Sequence, residues 1–389
     1  MIKFPDSVWK NQTKASKIFD PFSMYYVKMR INFILPLFIG VIEAALAQQP
    51  ADITVSIRKP RNIILMIGDG MGTTQVYATL TAKKDKLNIA RCKYTGLVKT
   101  YSADDYVTDS AAGATAYATG EKTNNGYLGV DVNGVKLNTI LEIAENHGLS
   151  TGLVATCSVT HATPAGFIAH TRNRDDNEKI ALDFLKTGVD VFIGGGRKYF
   201  EIRSDHINLI DSLKKKNYFI AGTLSDIEHV TSGKIAGLLY SGHPPRYSEG
   251  RGEMLSIAAL KAIEILNKNE KGFFLMVEGS QIDWGGHLKN TNFSLSEAID
   301  FDNVAGKILD FAGADGETLV IITADHETGG LTLVDGNMQK GTVKEKYTTF
   351  NHTGVWVSVF ASGPGAEEFT GIMQNTDIFR KMIMLYGFN

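Results

Sequence analysis

The sequence predicts a single α/β domain with a central, mainly parallel sheet sandwiched between helices. Two observations carry that reading. Short apolar runs rich in Ile, Val and Leu alternate along the chain with stretches whose apolar residues recur at helical spacing. That alternation is the pattern of strands buried on both faces and joined by crossover helices. In addition, polar residues able to do chemistry stand just after several of the runs, at the edge where an open parallel sheet binds its ligands. The 389 residues, 43% hydrophobic and 10% aromatic, suffice for one large core.

Taken in order, residues 62–67 read as the first strand. Leu137, Ile140, Leu141 and Ala144 lie at helical spacing. Residues 152–159 and 189–193 read as strands, residues 253–267 as a helix and residues 273–277 as a buried strand. Ser294 with Glu297 three positions later has the form of a capping box opening a helix that runs to Phe311. Residues 318–323 and 355–361 complete the strands. No repeat, low-complexity linker or composition break divides the chain, so one domain is the economical reading.

The N-terminus reads as an address. Lys28 and Arg30 precede an apolar run at 33–42, and Ala45-Leu46-Ala47 supplies the small-x-small pattern of a cleavage site. This is the form of a secretory signal, too short to span a bilayer stably. Residues 1–47 are therefore expected to be an extension plus signal removed after Ala47, leaving 48–389 as a periplasmic or secreted domain. Met24 or Met29 is a more sensible start than Met1. No Cys follows the cleavage site to carry a lipid, and no later segment reads as a membrane span. With 40 basic against 42 acidic residues, a net charge of −2, nothing points to nucleic acid or an anionic membrane as partner. Of the only two cysteines, Cys92 and Cys157, the second lies in an apolar run and is expected to be a buried, inert thiol; no bridge between them is expected.

The chemistry gathers at strand ends. Asp69 follows the first strand, His161 and Thr163 follow 152–159, Glu278 follows 273–277, and Asp325 and His326 follow 318–323. Glu278, Asp283 and His287 offer three cation-binding groups within ten residues, interrupted by Gly285-Gly286, a pair ill suited to a helix. Gly68-Asp69-Gly70-Met71-Gly72 lacks the third glycine of a dinucleotide loop, because Thr73 stands there. It reads either as a cation-binding Asp flanked by glycines or as a simple tight turn. At Thr108-Asp109-Ser110-Ala111-Ala112-Gly113, Asp109 or Ser110 is an N-cap, or Ser110 is a hydroxyl activated at a helix N-terminus where an anion binds. His352 precedes the last strand and alone reads as a surface histidine.

Six ordered motifs resemble those of the alkaline phosphatases: Asp-Gly-Met-Gly at 69–72, Asp-Ser-Ala at 109–111, His-Ala-Thr-Pro-Ala at 161–165, Val-Glu-Gly-Ser-Gln-Ile-Asp at 277–283, Ala-Asp-His-Glu at 324–327 and His-Thr-Gly at 352–354. The resemblance implies hydrolysis of small phosphate monoesters through a phosphoserine on Ser110, with two zinc ions and one magnesium ion. It assigns Asp283, His287 and His352 to one zinc and Asp69, Asp325 and His326 to the other. Asp69 would bridge to a magnesium completed by Thr163 and Glu278. Spacing from His161 selects Arg174, rather than Arg172, as the phosphate-binding arginine. His161 and Trp284 stand near substrate where some members carry Asp and Lys, so the third site is expected to be weaker for magnesium or to take another ion. Gly285-Gly286 would then bend the chain so that Asp283 and His287 face one ion.

The chemistry of such a site is coherent. Two Zn²⁺ roughly 4 Å apart can hold the attacking and leaving oxygens of an in-line displacement. His and Asp suit zinc, while Thr and Glu oxygens suit magnesium, and an arginine grips two phosphate oxygens at once. A homodimer is implied too, with a small interface because the span between His326 and His352 is short. Two enzymatic rivals share this scaffold. Sulfatases need a Cys/Ser-x-Pro-x-Arg context, which Ser110-Ala111-Ala112-Gly113 lacks, and diesterases tend to lack the magnesium set and the arginine. A third reading, a metal-stabilised binding protein without turnover, would keep the ligands and lose the reaction.

Overall fold

The computed structural model describes residues 58–388; the signal, Ala47 and the proposed starts at Met24 and Met29 lie outside them. In chain order the strands are β1 (Asn62–Gly68), β2 (Tyr94–Lys99), β3 (Ser150–Ser158), β4 (Val191–Gly195), β5 (Tyr218–Ala221), β6 (Lys234–Tyr240) and β7 (Phe273–Gly279). They continue with β8 (Thr318–Thr323), β9 (Glu327–Thr328), β10 (Leu331–Asn337), β11 (Thr342–Tyr347), β12 (His352–Thr353), β13 (Val357–Ser362) and β14 (Gly371–Gln374).

A ten-stranded sheet runs in the order β14-β2-β13-β8-β1-β7-β3-β4-β6-β5. All its neighbours are parallel except β13, which is antiparallel to both β2 and β8. The expected α/β class with a mainly parallel central sheet is what the chain adopts. Strands β1, β7 and β8 are buried along their whole lengths, as their unbroken apolar runs require. The helix Thr291–Asp315 covers β1, β7 and β8, and Met254–Leu266 covers β3, β4 and β7. Among the described residues no helix is long and apolar enough to cross a membrane.

Several local expectations are corrected. The first helix on the apolar stretch near 140 is Ile140–Asn146, capped by a Thr139/Glu142 box, so Leu137 lies outside it. The helix expected to be capped at Ser294 starts four residues earlier, at Thr291, and runs on to Asp315. Its N-cap is Asn290, whose side chain accepts from Phe293 N, and Ser294 and Glu297 lie in its interior. Glu297 is spent instead on Arg251 and on the Tyr247 amide. The strand expected at 189–193 begins two residues later, at Val191, and the one expected at 355–361 begins at Val357. The edge strands β14 and β5 and their neighbours β2 and β6, mixed or short in apolar content, carried no clear strand signal. The span between His326 and His352 holds the β10–β11 hairpin.

Candidate metal centre

The parallel strands β1, β3, β7 and β8 end at one edge of the sheet, and their carboxyl ends deliver the predicted residues there. Asp69 follows β1, with its amide donating to Gly279 O at the end of β7. Gly70 then turns with φ +71°, and a Cβ there would lie 2.7 Å from Asp283 Cα, so glycine is required both for the conformation and for the close approach. The Gly70 amide donates to Asp325 Oδ1 at 3.1 Å, which fixes the turn after β1 to the loop after β8. The fully buried His326 brings Nε2 to 3.2 Å from Asp325 Oδ2 and 3.5 Å from Asp69 Oδ1. On its other side His326 Nδ1 meets Thr328 Oγ1 at 3.2 Å, a contact that holds the ring and leaves Nε2 free for a cation.

Asp283, His287 and His352 form a second group. Asp283 and His287 lie on one helix, Gln281–His287, and their i, i+4 spacing puts both side chains on the same face. Gly285 and Gly286 are therefore not a bend, contrary to expectation. A Cβ on Gly285 would lie 2.4 Å from Ser294 N, and one on Gly286 2.9 Å from Thr328 Cβ. The glycines let this helix seat against the Thr291–Asp315 helix and β9. His287 Nδ1 faces Phe350 O at 2.5 Å and His352 Nδ1 faces Thr108 O at 2.9 Å. Donating Nδ1–H to these carbonyls turns both Nε2 atoms inward, 3.2 Å apart and within 3.3 and 3.5 Å of the Asp283 carboxylate. Carbonyl-anchored imidazoles converging with a carboxylate are the donor set of a borderline cation such as zinc.

Ser110 is the first residue of the helix Ser110–Thr119, and Asp109 is its N-cap, accepting from Ala112 N at 2.9 Å. Ser110 Oγ lies 3.3 Å from His326 Nε2, so the hydroxyl sits at both the helix N-terminus and the first cluster. Arg174 reaches Asp109 Oδ2 through Nη1 at 2.9 Å. Arg172 instead points away to Asn133 O at the surface. A third group forms from Cys157, His161 and Glu278, whose ligand atoms lie within 4.8 Å of one another. Thr163 stands two residues beyond His161 and is fully buried. The His161 and Trp284 rings lie 6.1 Å apart.

Comparison with known proteins agrees with this geometry. The alkaline phosphatase family profile matches residues 60–347. Alkaline phosphatase 4 of Bacillus subtilis is 35% identical over 82% of this chain and 87% of its own. The chain belongs to the alkaline phosphatase family. The Escherichia coli alkaline phosphatase is 32% identical over 86% of this chain and 88% of its own. The solved alkaline phosphatase of the Antarctic bacterium TAB5 superposes with a TM-score of 0.81 at 42% identity, over 86% of this chain and 99% of that one. A histidine-to-aspartate variant of the TAB5 enzyme, equally similar, carries magnesium in its M3 site. This protein is thus a phosphatase that hydrolyses phosphate monoesters.

The electrostatics of this alkaline phosphatase call for positive charge at the sheet edge. Burial, and after it repulsion from Asp325, Asp283 and Glu278, pushes the Asp69 carboxyl well above its ordinary range. Burial pushes Glu278 up to about 7, and burial with Asp283 pushes Asp325 up to about 6. Burial works against ionisation of Asp283 as well, yet hydrogen bonds from His287 and His352 hold it well below the carboxylate range. Burial, followed by Arg174 and His243, pushes His161 down to about 3, so its imidazole is neutral. Crowded buried acids held back from ionising are what a bound cation relieves.

Sequence reading missed four neighbours. Cys157 is the free, fully buried thiol expected, but the contact of its Sγ with Glu278 Oε2 at 3.3 Å had no signal along the chain. Asp109 was weighed only as a cap, and its second role as tether of Arg174 depends on a contact 65 residues away. Thr328 donates to Asp283 and braces His326. His243, after β6, stacks edge-on to His161 and Trp284 at 5.5 and 4.9 Å. Its position after a strand was the available signal, lost because β6 itself was not recognised.

Proposed function

We propose that the chain hydrolyses phosphate monoesters through a covalent phosphoserine on Ser110, at a centre of two zinc ions and a third divalent ion. The observation that carries this reading is the set of unsatisfied buried atoms. Asp69 Oδ1 and Oδ2, Asp325 Oδ2, Glu278 Oε1, Thr163 Oγ1 and His161 Nδ1 all lack a hydrogen-bond partner. Orphaned buried polar atoms are rare in native proteins, and six of the thirteen among the described residues gather where the donor set suits cations. Asp283, His287 and His352 would hold one zinc, and Asp69, Asp325 and His326 the other. Thr163 and Glu278, with Asp69, would serve the third divalent ion. Bound there, the ions neutralise phosphate oxygens and favour ionised oxygen nucleophiles at moderate pH.

The protein's own groups then have defined tasks. Ser110 Oγ loses its proton and bonds to phosphorus while the ester P–O bond breaks, and the leaving alkoxide takes a proton to depart as an alcohol. Water then attacks phosphorus, Ser110 Oγ leaves and regains a proton, and inorganic phosphate is released. The helix N-terminus at Ser110 favours the anion. Arg174, oriented by Asp109, grips phosphate oxygens in a fork that Lys cannot offer. His161 and Trp284 line the approach to those oxygens.

The test compares wild type with Ser110→Ala on an aryl monoester and a matching diester, after EDTA and after Zn²⁺ and Mg²⁺ are restored separately. Monoester turnover that needs metal and Ser110, with an acid-trapped phosphoprotein only in wild type, is the expected result. A fully metal-loaded wild type inactive on the monoester would overturn the reading. We also propose domain limits of 48–389, export by a signal cleaved after Ala47, and a homodimer with a small interface. N-terminal sequencing of the exported protein and sedimentation of the purified enzyme check them.

A further inference from the structure

We propose that Cys157 is a metal ligand, and that the third site of this chain takes zinc, or a comparably thiophilic divalent ion, through Cys157, His161 and Glu278. The inference rests on the three-ion reading above and concerns the identity of one of those ions.

Cys157 is the penultimate residue of β3, and its side chain is fully buried. Its Sγ lies 3.3 Å from Glu278 Oε2 and 3.2 Å from Ser158 O. The sulfur, a His161 ring nitrogen and a Glu278 oxygen all lie within 4.8 Å of one another. Zinc bonds of about 2.3 Å to sulfur and about 2.0–2.1 Å to nitrogen and oxygen separate tetrahedral ligands by roughly 3.5 Å. One ion can therefore serve all three after small side-chain movements.

A second observation points to a cation at the same place. Glu278 Oε1 and Thr163 Oγ1 belong to fully buried side chains and have no hydrogen-bond partner, and His161 Nδ1 has none either. Glu278 therefore turns one oxygen to the thiol and leaves the other unsatisfied beside Thr163.

The donor chemistry argues against magnesium. Magnesium takes oxygen ligands in near-octahedral geometry, whereas thiolate and imidazole select zinc and its neighbours. Where some family members place an aspartate, this chain has His161, which removes one negative charge from the site. A Cys157 thiolate restores it. On binding, the Sγ proton leaves to solvent and sulfur becomes anionic. Without an ion the neutral thiol donates to Glu278.

The test reconstitutes metal-free wild type, Cys92→Ser and Cys157→Ser with Co²⁺ as the spectroscopic probe. A near-ultraviolet thiolate-to-cobalt charge-transfer band is expected as the third equivalent fills in wild type and Cys92→Ser, and its complete loss in Cys157→Ser. After dialysis against equal Zn²⁺ and Mg²⁺, elemental analysis should find three zinc per chain in wild type and one replaced by magnesium in Cys157→Ser. A wild type with three metals bound, no such band and magnesium in the third place would overturn the proposal. Wild type and Cys92→Ser decide the matter even if Cys157→Ser fails to fold. Aryl phosphate turnover on the same samples separates the two readings: turnover without the band rejects Cys157 as ligand and leaves the phosphatase mechanism standing, whereas loaded protein without turnover rejects the mechanism.

Discussion

Arg174 is bound to Asp109: its Nη1 donates to Asp109 Oδ2 at 2.9 Å, and Asp109 is the residue immediately before Ser110. The same carboxylate accepts from Ala112 N and Gly126 N, each at 2.9 Å. One side chain thus starts the helix that begins at Ser110 and tethers the Arg174 guanidinium.

Asp109→Ala should therefore do two things at once. Loss of the cap should cost about 1 kcal/mol of stability in urea unfolding, and freeing Arg174 should weaken inhibition by inorganic phosphate. Arg174→Ala should weaken phosphate inhibition further while keeping the cap and the stability. Arg174→Lys should fall between, because a point charge cannot replace a bidentate fork. Unchanged phosphate inhibition in Arg174→Ala would remove this arginine from the site.

Gly285→Ala carries a prediction of sign. In an ordinary helix interior the change stabilises by about 0.5–1 kcal/mol. Here the new Cβ would lie 2.4 Å from the Ser294 backbone nitrogen, so overpacking should destabilise by about 1–3 kcal/mol. It should also loosen zinc, because Asp283 and His287 ride on the displaced helix. Urea unfolding with zinc titration checks both; a stabilised variant would contradict the tight seating.

The metal-free protein should lose stability as pH rises, through Asp325 between 3.8 and about 6, through Glu278 between 4.5 and about 7, and through His287 above 6.5. Glu278 and Asp325 are raised in the fold to about 7 and about 6, and His287 is raised to about 9, chiefly by its hydrogen bond with Asp283. A raised group contributes stability fully present below its ordinary value and lost as pH climbs through its folded one. For His287 that window runs from 6.5 to about 9. His161, lowered to about 3 by burial, has the opposite sign and contributes fully above 6.5. The metal-loaded enzyme should instead weaken on acidification, as protons displace the ions. Thermal melts with and without EDTA across pH 5–9 test the crossing trends.

Arg251 offers a stability test away from the site. Its buried guanidinium binds Glu297 and meets Asp300 Oδ2 at 2.9 Å, all three side chains being nearly inaccessible. Arg251→Met should destabilise by about 3–5 kcal/mol, because two buried carboxylates lose their partner. Replacing all three by apolar residues of similar volume should recover much of that loss. Chemical denaturation of the single and triple variants checks it.

Local sequence carried the fold class and most of the site. An unbroken apolar run such as 318–323 buries both faces wherever it lies in a sheet, and the polar residue after it must emerge at the strand end. Asp69, Thr163, Glu278, Asp325 and His326 were legible as candidates for that reason, Asp283 and His287 from their closeness to Glu278, and the family resemblance added the roles proposed for Ser110, Arg174 and His352. The capping box at Ser294 misled because Glu297 satisfies Arg251, a partner 46 residues away.

What the sequence determined by itself was a parallel α/β sheet whose strand ends collect carboxylates and imidazoles, with motifs in an order that marks an alkaline phosphatase. Tertiary structure alone decided the rest. Gly285 and Gly286 disfavour a helix locally, yet residues 281–287 are helical because only glycine fits against Ser294 and Thr328. Cys157 reads as an inert core thiol along the chain, and pairing of β3 with β7 brings it to Glu278, 121 residues on. Propensity is a property of neighbours in sequence, whereas packing space and ligand geometry belong to neighbours in space, and here those come from segments as far as 121 residues apart.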